Sequence, residues 1–310
     1  MDPAGLGAAL PAPPAHPRRL VFLGTPAMAV SPLQALHAAG FEIGLVITGP
    51  PKRRGRGGTS TPTPVGLEAL ALGLSVSHDV ADAATAGADL GVVVAFGQII
   101  GRPVLEALPM VNVHFSLLPR WRGAAPVERA ILAGDERTGV CVMAVEEGLD
   151  TGGVYARSEL TIRQTNTAAE LGAQLTELGS TLLVETLRSG LAAPEPQVGE
   201  PTYAHKLTSA DRQLDWTRSA DELRRVVRVG GAWTTFRGRR LKVLDAVIDG
   251  AGGEPAGAPA GVLDGNRVAT GAGALRLVTV QPEGKGPVAA ADWLHGARPA
   301  PGERLGEAAS

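Results

Sequence analysis

Segments that are apolar along their whole length recur through the first 190 residues of this 310-residue chain. A strand of this kind is buried on both faces, which is typical of parallel sheets. Segments with helical spacing lie between them, at residues 27–39, 64–72, 103–108 and 123–133. This alternation predicts an α/β domain, a Rossmann-like parallel sheet covered by helices on both faces. The predicted strands are residues 20–24, 41–48, 89–96 and 139–145, and one around Asn112.

A long helix, predicted over residues 167–187, closes this first region. Thr167 and Glu170 have the spacing of a capping box, in which each side chain bonds the backbone of the other residue. The Pro- and Ala-rich segment that follows has the composition of a linker. Four leucines at helical spacing predict the buried face of the helix: Leu171, Leu175, Leu178 and Leu182.

The pattern changes after the linker to short alternating strands, predicted at residues 241–248, 260–263, 267–270 and 274–280. Gly-rich turns separate them, which indicates a small OB-like β-barrel. A capped helix precedes the strands, and we expect its apolar side chains on one face and its arginines on the other. The residues are the caps Ser219 and Glu222, the apolar Leu223, Val226 and Val227, and Arg224, Arg225 and Arg228.

The composition sets the remaining boundaries and excludes some classes of protein. Residues 1–19 are rich in proline and predict a disordered extension, and a Gly/Ala/Pro loop is expected at 251–258. One cysteine excludes an internal disulfide and indicates a reducing compartment, so we expect a cytoplasmic protein. No apolar run reaches the roughly 18 residues of a membrane span. The predicted domains are thus 20–193, a linker at 194–212, and 213–310.

Three polar residues suggest a catalytic site at the end of the predicted sheet. Asn112 and His114 are two apart on one strand, so their side chains point to the same face. Asp150 follows the next strand on a Gly-rich turn. The amide can bind an oxyanion, the imidazole can exchange protons, and the carboxylate can orient the imidazole and accept a proton. Together they can catalyse acyl transfer without a metal or a covalent nucleophile.

These residues belong to longer motifs, which are Asn-x-His-x-Ser-Leu-Leu-Pro from Asn112, Arg-Gly-Ala-Ala-Pro from Arg122, and Gly-Leu-Asp-Thr-Gly from Gly148. The chain resembles the formyltransferases that use 10-formyltetrahydrofolate, and most closely the methionyl-tRNA formyltransferases. The resemblance extends from about residue 20 to 306. It implies a bacterial, monomeric enzyme that transfers formyl from 10-formyltetrahydrofolate to the α-amino group of methionyl initiator tRNA for translation initiation, without a metal.

The resemblance also implies where the folate binds. It places the folate ring against the segment that follows the Asn112 strand and against the end of the strand at residues 89–96. Backbone groups and apolar side chains would contact the flat ring there. The implied folate-binding residues are Phe96, Gly97, Ser116, Leu117, Leu118 and Pro119.

Two basic regions are candidates for contacts with tRNA. Residues 49–61 form a Gly- and Arg-rich loop without an acidic residue, and in the methionyl-tRNA formyltransferases a basic loop at this place enters the acceptor end of the tRNA. This chain departs from that pattern, with Gly-Pro-Pro at 49–51 where the family commonly has Gln-Pro-Asp. The second region is the Arg-rich C-terminal domain. The predicted tRNA-binding residues are Lys52, Arg53, Arg54, Arg56, Lys206, Arg237 and Arg239.

Other functions are compatible with parts of the pattern. A formyltransferase for a small amine, such as glycinamide ribonucleotide or an amino sugar, would need neither basic region. A non-catalytic tRNA-binding protein would not need Asn112, His114 and Asp150 together. A nucleotide-dependent oxidoreductase is disfavoured because Gly24-Thr25-Pro26 is not a Gly-x-Gly-x-x-Gly fingerprint.

Overall fold

The computed structural model describes residues 10–53, 60–249 and 258–307. The chain divides into two compact units, each built from three segments. The first unit comprises residues 1–126, 137–161 and 172–205, and the second comprises 127–136, 162–171 and 206–310. Some sequence-based expectations lie outside the described residues: Arg54 and Arg56 of the basic loop, residues 1–9 of the extension, and 251–257 of the Gly/Ala/Pro loop.

A seven-stranded sheet forms the centre of the first unit, in the order β10-β9-β7-β6-β1-β2-β5. Pairings among β5, β2, β1, β6 and β7 are parallel, which confirms the predicted Rossmann-like sheet. The strands are β1 Arg19–Gly24, β2 Glu42–Ile47, β3 Lys52–Arg53, β4 Ser60–Thr61, β5 Val76–Ser77, β6 Leu90–Val94, β7 Met110–His114, β8 Arg122–Gly123, β9 Arg137–Ala144, β10 Val154–Thr161 and β11 Tyr203–Ala204.

Helices connect these strands, and their starts follow local chemistry. Thr63 caps the second helix by accepting a hydrogen bond from the Gly66 N–H, and Pro64 occupies its first turn, where the missing N–H has no helical partner. The helices of this part of the chain are α1 Val30–Ala38, α2 Pro64–Ala71, α3 Arg102–Ala107, α4 Pro126–Ala133 and α5 Ala168–Ser189.

Two antiparallel strands, β9 and β10, extend the parallel sheet beyond β7. β9 is buried along most of its length and contains Cys141, whose thiol pKa is raised by burial. β10 was not predicted, because alternate residues face solvent and carry polar side chains. As the edge strand of the sheet, β10 does not need the continuous apolar sequence by which the central strands were identified.

The predicted start of α4 and the predicted buried face of α5 need correction. α4 begins at Pro126 rather than at residue 123, because Gly123 belongs to β8 and has φ of 117°. The capping box of α5 is present, with the Thr167 N–H donating to Glu170 at 2.9 Å. Leu178 and Leu182, which were predicted to be buried, are only half-buried. Two other leucines take their place on the buried face. The fully buried set is Leu171, Leu175, Leu183 and Leu187.

The expected N-terminal extension is ordered from residue 10 onward. The carbonyl of Ala15 accepts a hydrogen bond from the Leu191 N–H at 2.7 Å, and Pro17 is buried. Asp89 accepts bonds from the Arg18 and Arg19 N–H groups, which lower its pKa. The disorder expected from the proline content is therefore wrong for residues 10–19, which belong to the first unit.

The second unit contains an antiparallel sheet in the order β12-β13-β16-β15-β14, with β17 also paired to β16. A bulge near Asp245 shifts the register of β13, so Val243 and Ala246 both face the core. The core of this unit includes Trp216, Leu223 and Leu277. The elements are α6 Ala220–Val229, β12 Trp233–Phe236, β13 Arg239–Ile248, β14 Leu263–Asp264, β15 Arg267–Ala269, β16 Ala274–Pro282, β17 Val288–Ala289 and α7 Ala290–Ala297.

α6 has the predicted capping box, but one of the arginines expected on the face opposite its apolar side chains is buried. Ser219 and Glu222 cap each other's backbone, and hydrogen bonds from Arg218 and Ser219 lower the Glu222 pKa to about 2. Arg228 is buried and donates to the carbonyls of Asn166 at 2.7 Å and Arg163 at 2.9 Å. Arg228 is therefore buried, which the sequence did not lead us to expect. In the described part of the chain, no helix is long and apolar enough to cross a membrane.

Candidate active site

Strand β7 carries the first two residues of the predicted trio. Asn112 and His114 alternate with Val113, so both side chains project from the same face of the sheet. The strand is held between β6 and β9, with Asn112 opposite Val93 on one side and Met143 on the other. Asn112 is half-buried, whereas only 5% of His114 is exposed. The imidazole is therefore fixed in the sheet while the amide keeps some access to solvent.

The two ring nitrogens of His114 have different neighbours. Nε2 lies 2.8 Å from the carbonyl oxygen of Trp121. A carbonyl can only accept a hydrogen bond, so Nε2 carries the hydrogen. Nδ1 faces Oδ2 of Asp150 at 3.6 Å, which is too long for a direct hydrogen bond. Nδ1 is therefore the ring nitrogen that can exchange a proton with a bound molecule.

Asp150 occupies a turn in the left-handed region of backbone conformation, with φ of 51°. Its Oδ2 atom accepts a hydrogen bond from the Gly123 N–H at 2.7 Å, which fixes the orientation of the carboxylate. The turn is closed by Gly152, where a Cβ atom would lie 2.1 Å from the carbonyl oxygen of Ala144. The turn therefore requires glycine at this position, and it directs the carboxylate toward His114.

The segment after β7 folds back to supply the groups that bond this site. Ser116 is fully buried and donates its hydroxyl hydrogen to the Arg120 carbonyl at 2.5 Å. Trp121, with φ of 62°, donates its N–H to the Thr202 hydroxyl at 2.9 Å. These bonds fix the Trp121 carbonyl that holds His114.

Some of the predicted folate-binding residues pack against other side chains, whereas others border open space. The Leu118 side chain is buried in a cluster with Cys141 and Met143, and the Leu117 side chain lies against Gly139. The Ser116 hydroxyl is already used in its own turn. What this segment can offer a ligand is thus its backbone and its apolar surface, including Pro119.

Phe96 and Gly97 form the second loop assigned to the folate. Phe96 is 5% exposed and packs in an apolar cluster of the first unit, while its carbonyl accepts a hydrogen bond from the Thr25 hydroxyl at 3.2 Å. Gly97 has φ of 76°, and no heavy atom lies within 4 Å of the position that a Cβ would take. The open space beside this backbone suits the edge of a planar ring.

The residues predicted to contact tRNA are exposed wherever they are described. Lys52 and Arg53 form β3, which pairs with β4 to make a two-stranded ribbon at the ends of the basic loop. In the second unit, Lys206 is exposed, while Arg237 is bound by both oxygens of Glu303 at 2.6 and 2.8 Å. Arg239 is 75% exposed and lies 3.6 Å from Glu283. Arg239 is therefore more available to a phosphate than Arg237.

Several residues of the site were not predicted from the sequence. Gly123 supplies the N–H that holds Asp150, and Gln197 donates to the carbonyls of Asp150 and Gly152 at 2.8 Å each. Gln197 and Thr202 lie in the segment predicted as a linker. Its polar, Pro-rich composition resembles that of an unstructured connection, so no periodicity pointed to these contacts. Among the described residues, no group of three or more His, Cys, Asp or Glu side chains could hold a metal ion.

Comparisons with known proteins agree along almost the entire chain. A profile of the formyl transferase family matches residues 18–187, and a profile of the formyl transferase C-terminal domain matches residues 206–298. A protein of Ruegeria pomeroyi named methionyl-tRNA formyltransferase is 45% identical over 304 residues. That alignment covers 93% of this chain and 100% of the relative.

Solved structures show the same fold at low sequence identity. HypX from Aquifex aeolicus, solved in complex with tetrahydrofolic acid, has a TM-score of 0.63 at 19% identity, over 90% of this chain and 47% of that one. Methionyl-tRNA formyltransferase from Clostridium thermocellum has a TM-score of 0.56 at 14% identity, over 76% of this chain and 94% of that one.

Proposed function

The chain belongs to the formyl transferase family, and on that premise we propose that it formylates methionyl initiator tRNA for translation initiation. The formyl donor is 10-formyltetrahydrofolate, and the acceptor is the α-amino group of the methionine. The observation that carries this proposal is the placement of the His114 ring and the Asp150 carboxylate 3.6 Å apart at one site, in a chain 45% identical to a methionyl-tRNA formyltransferase along nearly its whole length.

The folate supplies a formyl group on a ring-linked nitrogen, already activated for transfer to an amine. Two loops of the first unit fit such a ligand, because the Gly97 backbone borders open space and the segment from Ser116 to Pro119 offers backbone groups and apolar surface. Their role is to hold the donor still, so that the amine meets the formyl carbon in a productive orientation. Orientation alone contributes several kcal/mol to such reactions, on the order of 7–11 in favourable cases.

Asn112 is the group placed to bind the formyl oxygen. Negative charge develops on that oxygen as the amine attacks, and an amide NH₂ in a partly dehydrated site stabilises it. The side chain projects from the same face of β7 as His114, so oxygen binding and proton transfer occur on one side of the sheet. Because β7 lies inside the sheet, the backbone that carries this amide is fixed before the substrate arrives.

His114 and Asp150 handle the proton that the amine must lose. An α-amino group has a pKa of about 8, so a large share of it is protonated near neutral pH and must be neutral to attack. The Asp150 carboxylate, which the Gly123 N–H holds in place, accepts a hydrogen bond from the amine. The His114 Nδ1 atom faces the same carboxylate, so a proton taken up here can be passed on to the leaving nitrogen.

The proposed substrates place the reaction in the cytoplasm, where aminoacylated tRNA and reduced folates are found together. We further propose that the enzyme acts as a monomer, with the exposed basic residues of the second unit and the basic loop contacting the tRNA. Lys52, Arg53, Lys206 and Arg239 are described residues exposed for this role. Light scattering at working concentration measures the oligomeric state directly.

The test is transfer of radiolabelled formyl from 10-formyltetrahydrofolate to methionyl initiator tRNA. Elongator methionyl-tRNA and glycinamide ribonucleotide serve as competing acceptors, at low and moderate salt. We expect rapid labelling of the initiator tRNA that weakens as salt rises. Labelling of the small amine alone would keep the catalytic trio but overturn the choice of acceptor.

A further inference from the structure

The side chain of Gln197 bridges two loops that belong to the active site. Its Nε2 atom donates both hydrogens, one to the carbonyl of Asp150 at 2.8 Å and one to the carbonyl of Gly152 at 2.8 Å. Its Oε1 atom accepts two bonds from Arg122, from Nε at 3.0 Å and from Nη2 at 2.7 Å. Every hydrogen and both lone pairs of the amide are therefore used, which fixes its orientation.

Arg122 contributes to the same turn in a second way, through its strand. Residues 122 and 123 form β8, and the Gly123 N–H donates to the Asp150 carboxylate at 2.7 Å. β8 pairs in parallel with Tyr203–Ala204, only a few residues after Gln197. The backbone of the Asp150 turn is thus bonded by Gln197, and the Asp150 carboxylate is bonded by Gly123. Strand β8 supports both contacts, because Arg122 holds Gln197 and Gly123 follows Arg122.

This arrangement matters because the turn is conformationally demanding. Asp150 has φ of 51°, in the left-handed region that is unfavourable for a non-glycine residue. With both carbonyls pinned by one amide, the carboxylate points toward His114 Nδ1. Without that amide, the turn could relax and the separation of 3.6 Å between Nδ1 and Oδ2 would change.

We propose that Gln197 is a positioning residue, which works with Arg122 to hold the Asp150 carboxylate against His114 during formyl transfer. This inference rests on the proposed function. It assigns a catalytic consequence to the segment that connects the parts of the chain, since Gln197 contacts no reacting atom itself. A displacement of about 1 Å in a catalytic group can cost roughly 10²-fold in rate.

The deciding variant is Gln197→Glu, which keeps the shape and both acceptor contacts to Arg122 but removes the two hydrogens. A residue that only holds Arg122 would tolerate this change, because the carboxylate forms an ion pair with Arg122. A positioning role predicts the opposite, because the carboxylate would face two carbonyl oxygens. We expect kcat to fall about 10- to 100-fold for Gln197→Glu and Gln197→Ala, with KM for either substrate nearly unchanged.

Gln34→Glu is the matched control, because Gln34 is an exposed glutamine of the same unit. Its amide donates a hydrogen bond to Glu68 at 2.9 Å. It should leave kcat at the wild-type value. Wild-type kcat in Gln197→Glu would overturn the inference, as would losses in kcat that merely follow a smaller folded fraction measured by calorimetry.

A spectroscopic readout separates this inference from the proposed function. The ring-nitrogen signals of His114 and the backbone amide signal of Asp150, followed by NMR, should move in Gln197→Glu and stay fixed in Gln34→Glu. If the wild type formylates no acceptor, the proposed function fails, and the NMR comparison still tests Gln197. Unmoved His114 and Asp150 signals in Gln197→Glu would refute the positioning role even in an active enzyme.

Discussion

The imidazole of His114 is bonded on one side only, to a carbonyl that leaves it a single exchangeable nitrogen. That nitrogen faces a carboxylate that the Gly123 N–H holds in place. The proposed mechanism assigns proton transfer to this ring and this carboxylate together. The consequences of removing either group can therefore be stated in advance.

Replacing Asp150 by Asn should lower kcat by about 10²- to 10⁴-fold, the usual contribution of a general base or acid. The amide keeps the shape of the side chain and can still accept from the Gly123 N–H, but it cannot take up a proton. His114→Ala should cause a loss in the same range. Steady-state kinetics with methionyl initiator tRNA measure both effects.

Asp79→Asn provides the control for charge removal, since Asp79 is an exposed residue that caps a turn by accepting from the Ala81 N–H. It should retain wild-type kcat. Turnover of Asp150→Asn within about threefold of the wild type would exclude the carboxylate as a proton carrier.

Asp211 gives a pH-dependent contribution to the stability of the second unit. Hydrogen bonds from the Thr208 N–H, the Arg129 side chain and the Thr208 hydroxyl lower its pKa from 3.8 to about 2. A carboxyl group whose pKa is depressed in the folded protein stabilises the fold above its unfolded pKa. That stabilisation is lost as the pH falls through the folded pKa.

We therefore expect Asp211→Asn to reduce the free energy of unfolding by about 1–2 kcal/mol at pH 6. A tenfold change in ionisation corresponds to about 1.4 kcal/mol, and partial exposure reduces the gain. The difference between the two proteins should shrink below pH 4 and vanish only below about pH 2. Urea unfolding across this range measures it, and a difference independent of pH would contradict the assignment.

At the level of whole elements, Arg228 connects α6 to the turn that precedes α5. Its guanidinium is buried, which lowers its pKa, and it donates to two backbone carbonyls, of Asn166 and Arg163. Arg228→Ala would leave both carbonyls without this donor in a dehydrated place. We expect a loss of about 2–4 kcal/mol in the free energy of unfolding.

Arg224 on the same helix is the comparison, because its only ion pair in the described residues is a long one of 4.0 Å to Asp245. Arg224→Ala should cost about 0.5 kcal/mol or less. Denaturant unfolding measures both losses. Equal losses in the two variants would show that the buried hydrogen bonds of Arg228 do not add to the free energy of unfolding.

The elements that could be predicted are those whose sequence shows a continuous apolar run or a clear helix cap. β1 and β6 are apolar along almost their whole length, and the capping boxes at Thr167 and Ser219 mark two helix starts correctly. β10 and α7 were missed. β10 alternates in exposure at the edge of the sheet, and α7 is a helix of eight residues with only Ala290 fully buried.

The same distinction applies to the candidate site, only part of which could be predicted from the sequence. Asn112, His114 and Asp150 are side chains whose chemistry is visible in the sequence. The groups that orient them are backbone atoms, such as the Trp121 carbonyl and the Gly123 N–H, or residues distant in sequence, such as Gln197. No sequence spacing encodes a bond across 47 residues, so only the folded chain reveals it. Arg228 was misplaced for the same reason, because its carbonyl partners lie more than 60 residues away.

The molecule as a whole carries a net charge of −2, so attraction to RNA must come from local basic groups. Arg239 is exposed and only loosely paired, whereas Arg237 is held by both oxygens of Glu303, whose pKa the arginine lowers. We expect Arg239→Ala to weaken binding of the tRNA and to reduce the slope of its salt dependence by about one.

Arg237→Ala is the informative companion, because its loss should lower stability through the missing Glu303 pair while changing the salt slope less. Filter binding at several salt concentrations gives both slopes. A larger change in slope for Arg237→Ala than for Arg239→Ala would mean that the Glu303 pair opens when RNA binds.

The two compact units are each assembled from three separate stretches of chain, so the polypeptide passes between them five times. This has a consequence for inheritance and for engineering. A single genetic crossover after residue 205 would exchange residues 206–310 and leave residues 127–136 and 162–171 behind. A hybrid made at that joint would combine a C-terminal sequence with packing segments selected for a different partner. Functional chimaeras of this protein with its relatives should therefore arise only when all three stretches are transplanted together.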